Sequence, residues 1–221
     1  TVAYGMYQCI ALRKLREGVY LLGFFFLGLF LAAPQLLISY DAYRLSVRSV
    51  IFMKGEVIPW MYSITMLAPD FFGNPVTRND WFGHYAEWAG YIGVLPLLLA
   101  VYAGIREKTK EEWFFVAVAL LSLLLAYPTP LNDLLFKAKL PAISTSAASR
   151  IIILTSFAFS TLASFGVDKL YGDWKTKQKR FIVYFSLGVV LLVFAVWILL
   201  LTHWLPLDKI IIARRNFVLQ Y

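Results

Sequence analysis

Five stretches of this chain run without a single Asp, Glu, Lys or Arg: residues 18–40, 88–105, 113–132, 151–167 and 181–207. At about 1.5 Å of rise per residue, some 20 helical residues cross a hydrocarbon layer of roughly 30 Å. These runs constrain the fold more than any motif does. The chain is 60% apolar and 15% charged, against about 45–50% and about 25% in a soluble domain. A soluble globular enzyme, a disordered chain and a disulfide scaffold are thereby excluded, the last also because Cys9 is alone. The expected fold class is all-α, a polytopic transmembrane helical bundle of about five spans plus the end of a sixth.

Turn signals trim the runs to spans at about 18–40, 88–105, 113–127, 151–167 and 181–204. Pro128-Thr129-Pro130 cannot continue the third of these, and Pro34 removes a backbone hydrogen bond near the end of the first. Residues 151–167 carry Thr155, Ser156, Ser160, Thr161 and Ser164, small polar groups that suit packing between helices. Trp204 and His203 stand at an interfacial position after the last run. Residues 1–12 are uncharged and stop at a basic cluster, like the last turns of an earlier helix, so the chain reads as a piece of a longer protein.

Charge sorts the loops by side. The short loops 13–17, 106–112 and 168–180 hold eleven of the 21 Lys and Arg. The long loops 41–87 and 128–150, with the tail from 205, share the other ten over far more residues. Positive charge near span ends marks the cytoplasmic side. The expected location is therefore a cell membrane crossed several times, with short basic loops cytoplasmic and the long loops and C-terminal end extracytoplasmic. Loop location also accounts for the net charge of +8, so no nucleic-acid partner is expected. The basic loop 168–180 reads as a topology signal.

No predicted span carries a charged residue in its middle, which argues against ion-coupled transport. The polar chemistry lies in the outer loops. Loop 41–87 holds Phe52, Trp60, Tyr62, Phe71, Phe72, Trp81, Phe82 and Tyr85, with Trp88 next after it, and such residues fold against an interface or cover a cavity. Pro69-Asp70 and Phe72-Gly73-Asn74-Pro75 are turn signals that place Asp70 and Asn74 near the membrane surface. The only histidines, His84 and His203, have no clustered partners, so no metal site is expected.

The order of short motifs resembles the YfhO-like family of bacterial integral membrane proteins. Ala33-Pro34-Gln35-Leu36-Leu37 is followed by Ser46-Val47-Arg48, then by Ala68-Pro69-Asp70-Phe71-Phe72-Gly73-Asn74-Pro75. Tyr85-Ala86-Glu87 and Tyr91-Ile92-Gly93-Val94-Leu95-Pro96-Leu97 continue it, and weaker similarity reaches about residue 167 through Ser149-Arg150. Ile38 stands where that family often has Pro. The resemblance implies a GT-C-like membrane region, the architecture of glycosyltransferases that use lipid-linked sugars. Its implied partners are the bilayer, a polyprenyl-phosphate-linked sugar donor, and a cell-surface polymer or glycolipid acceptor. The family's catalytic carboxylate lies in the first outer loop of the full protein, so no residue here maps onto it and no cofactor is assigned.

Such a transfer needs a base for the acceptor hydroxyl and cations for the departing lipid phosphate. Arg48 and Arg150 lie beside outer span ends, at the depth of a polyprenyl-phosphate head. His84 and Lys54 would assist them, and Glu87 or Asp70 would orient an acceptor sugar or a metal. Each has a simpler reading. The arginines snorkel to headgroups, Glu87 sits at a helix N-terminus, Asp70 and Asn74 form turns, and His84 bonds at the interface. A transporter or flippase for a lipid-linked substrate and a non-catalytic membrane scaffold remain open alternatives.

Overall fold

The computed structural model describes residues 2–46, 56–76, 83–138, 148–176, 179–201 and 207–218, and every regular element among them is helical. The α-helices are α1 (Val2–Ala11), α2 (Leu15–Leu45), α3 (Val94–Ile105), α4 (Lys110–Ala126), α5 (Pro130–Lys137), α6 (Ile152–Lys175), α7 (Lys179–Leu201) and α8 (Leu207–Val218). Two 3-10 turns, Trp60–Met66 and Ala148–Ile151, lie between them. Three helical segments are long and apolar enough to cross a membrane: α2, α6 with its preceding turn, and α7. A fourth span results if α4 and α5 act together across their 70° bend. The run 88–105 yields only the 12-residue α3, because residues 88–93 are not helical.

The bundle is organised around α6, which packs most extensively against α3 and then α4. Gly166 makes the α3 crossing possible. A Cβ there would lie 2.1 Å from the Leu99 carbonyl oxygen, so only a residue without one lets the two backbones approach. Ala100, Leu162 and Ala163 are buried beside the crossing, with Leu99 and Phe159 packed against them. Against α4, the hydroxyls of Ser122 and Thr155 meet at 2.8 Å, each satisfying a polar group that neither water nor lipid reaches.

Local sequence explains the helix ends. Thr109 caps α4 in a reciprocal box, its hydroxyl accepting from the Glu112 N–H while the Glu112 carboxylate accepts from the Thr109 N–H. At the other end, Pro130 opens α5 at a position where its missing N–H costs nothing. The Thr129 hydroxyl donates to Leu124 O, and Asn132 Nδ2 donates to Leu125 O at 2.6 Å. The last carbonyls of α4 are thereby satisfied by the turn that ends it. Helix α2 continues through Pro34. It folds back on α1 about a turn with Arg13 at φ 57°.

The loops separate to two ends. At one, Lys110 Nζ donates to Ala11 O, and the ends of α3 and α6 meet the start of α4 through two ion pairs. Arg106 Nη2 lies 2.5 Å from Asp173 Oδ1, and Lys169 Nζ lies 2.5 Å from Glu112 Oε2. Both carboxylates are buried. The Tyr102 hydroxyl donates to the second Asp173 oxygen at 2.5 Å. Residues 168–175, read above as a basic loop, belong to α6. Two of them, Lys169 and Asp173, thus form structural ion pairs with Glu112 and Arg106, and Lys169 also counts toward the charge bias.

Candidate functional site

At the opposite end, the segment 56–76 is pinned between two helices. The Ile58 N–H donates to Ala126 O at the end of α4 (2.9 Å), and the Ser149 N–H donates to Glu56 O just before α6 (3.2 Å). From there Ile58, Tyr62, Phe71 and Phe72 turn inward and are almost fully buried. Tyr62 stacks on Phe72 with ring centres 5.4 Å apart, and the edge of Trp88 meets Tyr62 at 5.1 Å. Helix α8 closes the cluster with Ala213 and Phe217, both at 1% exposure or less. Burying a large apolar side chain contributes about 1.5–3 kcal/mol. Residues 56–76 thus owe their order to an aromatic core shared with Trp88, the end of α4 and α8, while residues 41–45 continue α2.

A charged trio rests on this core. Arg150 Nη2 donates to Glu87 Oε1 at 2.6 Å, and His84 Nδ1 lies 3.3 Å from Glu87 Oε2. The His84 ring stacks on Trp88 with centres 4.7 Å apart and planes 17° apart. This fixes the imidazole without burying it. The side chains remain 51% (Arg150), 37% (Glu87) and 38% (His84) exposed, so all three are accessible from outside the bundle. The Arg150 hydrogen bond, with that of His84 second, holds the Glu87 carboxyl below its usual 4.5. Glu87 is therefore a carboxylate at neutral pH. Its partner is Arg150, not a helix N-terminus, because α3 begins only at Val94.

Asp70 lies on a neighbouring turn. Tyr85 donates its hydroxyl to Asp70 Oδ1 at 2.6 Å. The Asp70 carbonyl accepts from the Gly73 N–H at 2.9 Å and from Asn216 Nδ2 of α8. Gly73 takes φ 88°, a left-handed conformation that favours glycine, and Asn74 follows it half-buried. Tyr85 also helps line a cavity of about 30 Å³ with Tyr62, Thr65, Pro69 and Gly90. Ligand pockets for small molecules span about 300–1,000 Å³. The cavity accommodates water but no sugar.

Of the six residues singled out in the sequence, Glu87, His84 and Arg150 come together, while Asp70 and Asn74 occupy the adjoining turn. Arg48 lies outside the described residues, as does Lys54. Two participants escaped the sequence reading. Tyr85 was visible as an aromatic residue and as part of the Tyr85-Ala86-Glu87 motif, with nothing local to connect it to Asp70. Asn216 sits on α8, whose apolar residues Ile210, Ala213 and Phe217 follow i, i+3, i+7 spacing, a helix signal that was legible. Among the described residues no three His, Cys, Asp or Glu side chains converge as a metal site.

Over its described residues the fold defines a class: all-helical, with three to four candidate membrane-spanning helices. Comparison of the chain with protein-family models, curated proteins and solved structures finds no match.

Proposed function

We propose that this chain is the membrane region of a GT-C type glycosyltransferase of the YfhO-like kind. It transfers a sugar from a polyprenyl-phosphate donor to a cell-envelope acceptor at the extracytoplasmic face. The observation that carries this reading is the half-exposed Arg150–Glu87–His84 trio on an aromatic floor at the ends of apolar helices. A polyprenyl phosphate presents its charged head at that depth while its chain stays in lipid. Arg150 holds the departing phosphate, since a guanidinium offers several N–H donors and only Nη2 contacts Glu87. Glu87 and His84 orient the sugar, and the catalytic base is assigned to no residue of this chain. The order of motifs from Ala33 to Leu97 supports the family, and the excess of positive charge at the opposite end supports the sidedness.

The test uses the full-length protein, membrane-embedded, with polyprenyl-phosphate sugar and envelope acceptors. Donor binding and sugar transfer are expected, with Arg150→Ala weakening donor affinity about tenfold or more, the worth of a charge-assisted hydrogen bond. Absence of both binding and transfer sinks the proposal, and unchanged donor binding in Arg150→Ala removes the phosphate role. Movement of intact donor across proteoliposomes without transfer turns the reading toward a flippase.

A further inference from the structure

At the end of the bundle opposite the Arg150–Glu87–His84 trio, cations lie on aromatic rings. At the start of α2, Arg16 Cζ is 5.6 Å from the Tyr20 ring centre. Lys108 Nζ lies 4.7 Å over Trp113 at the start of α4, and Lys175 Nζ lies 4.5 Å over Tyr171 at the end of α6. A cation within about 6 Å of a ring centre is attracted by the negative face of the ring. These three helix ends are tied together by the Lys110 bond to Ala11 O and the Lys169–Glu112 ion pair. All three rings are more than half exposed, so the pairs stand on the outside of the bundle. Trp and Tyr at the ends of membrane helices sit at headgroup level, and a cation held against one stays at that depth. Among the described residues, the other end holds one such pair, Arg44 over Tyr40 at 5.9 Å.

These cations keep N–H groups to give. Arg16 commits only Nε, donated to the Tyr20 hydroxyl at 3.2 Å. Lys108 Nζ makes one long bond, to Arg106 O at 3.4 Å. Lys175 Nζ has no partner but the Tyr171 ring among the described residues. Charge at this end is also in excess. Three ion pairs close on themselves: Lys14–Glu17, Arg106–Asp173 and Lys169–Glu112. Outside them, the described residues leave six cations, Arg13, Arg16, Lys108, Lys110, Lys175 and Arg180, against three carboxylates, Glu107, Glu111 and Asp168.

We propose that this end of the bundle is a docking surface for anionic glycerophospholipids of the phosphatidylglycerol type. Their phosphodiesters accept hydrogen bonds from Arg16, Lys108 and Lys175, while the rings of Tyr20, Trp113 and Tyr171 lie against the upper acyl chains. Charge complementarity selects the occupant. The excess of cations attracts a headgroup of net negative charge and gains little from a zwitterion, whose own ammonium meets the same cations. The pairs stand on three separate helices, which suits several lipids around the perimeter and not one compact soluble anion. The surface is independent of the glycosyltransferase reading and of the trio.

The experiment reconstitutes the full-length protein in bilayers of equal phosphatidylglycerol and phosphatidylcholine, then counts retained lipids by native mass spectrometry. Phosphatidylglycerol is expected to be enriched about fivefold over its bulk ratio, the worth of one basic group at an anionic surface. Added salt during reconstitution should reduce the enrichment. Arg16→Gln, Lys108→Gln and Lys175→Gln together balance the remaining cations and carboxylates and return retention to the bulk ratio, whereas Arg44→Gln at the other end leaves it unchanged. Equal retention of the two lipids by the unaltered protein, enrichment that survives the triple change, or enrichment that Arg44→Gln removes overturns the proposal. Displacement of the retained lipid by free glycerol phosphate also overturns it, in favour of a soluble anion. The selectivity of the unaltered protein decides the headgroup even if a variant does not fold.

Discussion

Replacing Gly166 by alanine tests the central helix crossing. On helix propensity alone the change is favourable, since alanine exceeds glycine by about 0.5–1 kcal/mol in a helix interior. The structure reverses the sign. The new Cβ would stand 2.1 Å from Leu99 O, 2.7 Å from Leu99 C and 3.1 Å from Leu99 Cα. All three are backbone atoms of α3, so no side-chain rotation relieves the clash. Ordinary Cβ contact begins at 3.4 Å, and the helices must part by on the order of 1 Å, which forfeits a quarter to a half of each dispersion contact at the crossing. Overpacking of this kind costs about 1–3 kcal/mol. Gly172→Ala, on the same helix with nothing within 4 Å, provides the propensity gain without the clash. The propensity gain cancels between the two alanines, so they should differ by the clash alone, roughly 1–3 kcal/mol in unfolding from detergent, followed by tryptophan fluorescence against denaturant. A Gly166→Ala protein as stable as the Gly172→Ala protein would falsify the close crossing of α3 and α6.

Lys169→Met leaves the buried Glu112 carboxylate uncompensated and should cost about 3–5 kcal/mol of unfolding free energy. Adding Glu112→Gln, which keeps the capping box, should recover most of that loss; a cost below about 1 kcal/mol for the single change contradicts the ion pair. At the trio, the lowered Glu87 pKa means that the contact with Arg150 stabilises above the usual carboxyl value of 4.5 and fades as pH falls through the lowered value. Arg150→Ala should raise the Glu87 pKa toward 4.5, measured by carbon NMR of labelled glutamate, and an unmoved pKa would show that the two do not touch.

Helix existence was legible wherever apolar residues ran long enough, as in α2 and α7, because a helix satisfies its own backbone regardless of what surrounds it. The stop after α4 was legible too, since proline chemistry acts locally at Pro128 and Pro130. The end of α6 was not. Charged residues from Asp168 onward look like a loop in sequence, yet the helix runs on to Lys175 because Lys169 and Asp173 find partners 57 and 67 positions away. At the site, the residue types Asp70, Glu87, His84 and Arg150 stood out as polar groups in an aromatic loop. Their grouping did not, because Glu87 and Arg150 are 63 positions apart.

By itself the sequence determined an apolar, helical chain with its basic residues concentrated in short segments, since hydrophobic run length, proline position and charge bias are properties of neighbouring residues. Tertiary structure alone decided that Arg150 meets Glu87 and not Asp70, and that α3 is a short helix held by Gly166. Those outcomes depend on which backbones approach and which side chains then come within reach, and no local pattern in the chain encodes that distance.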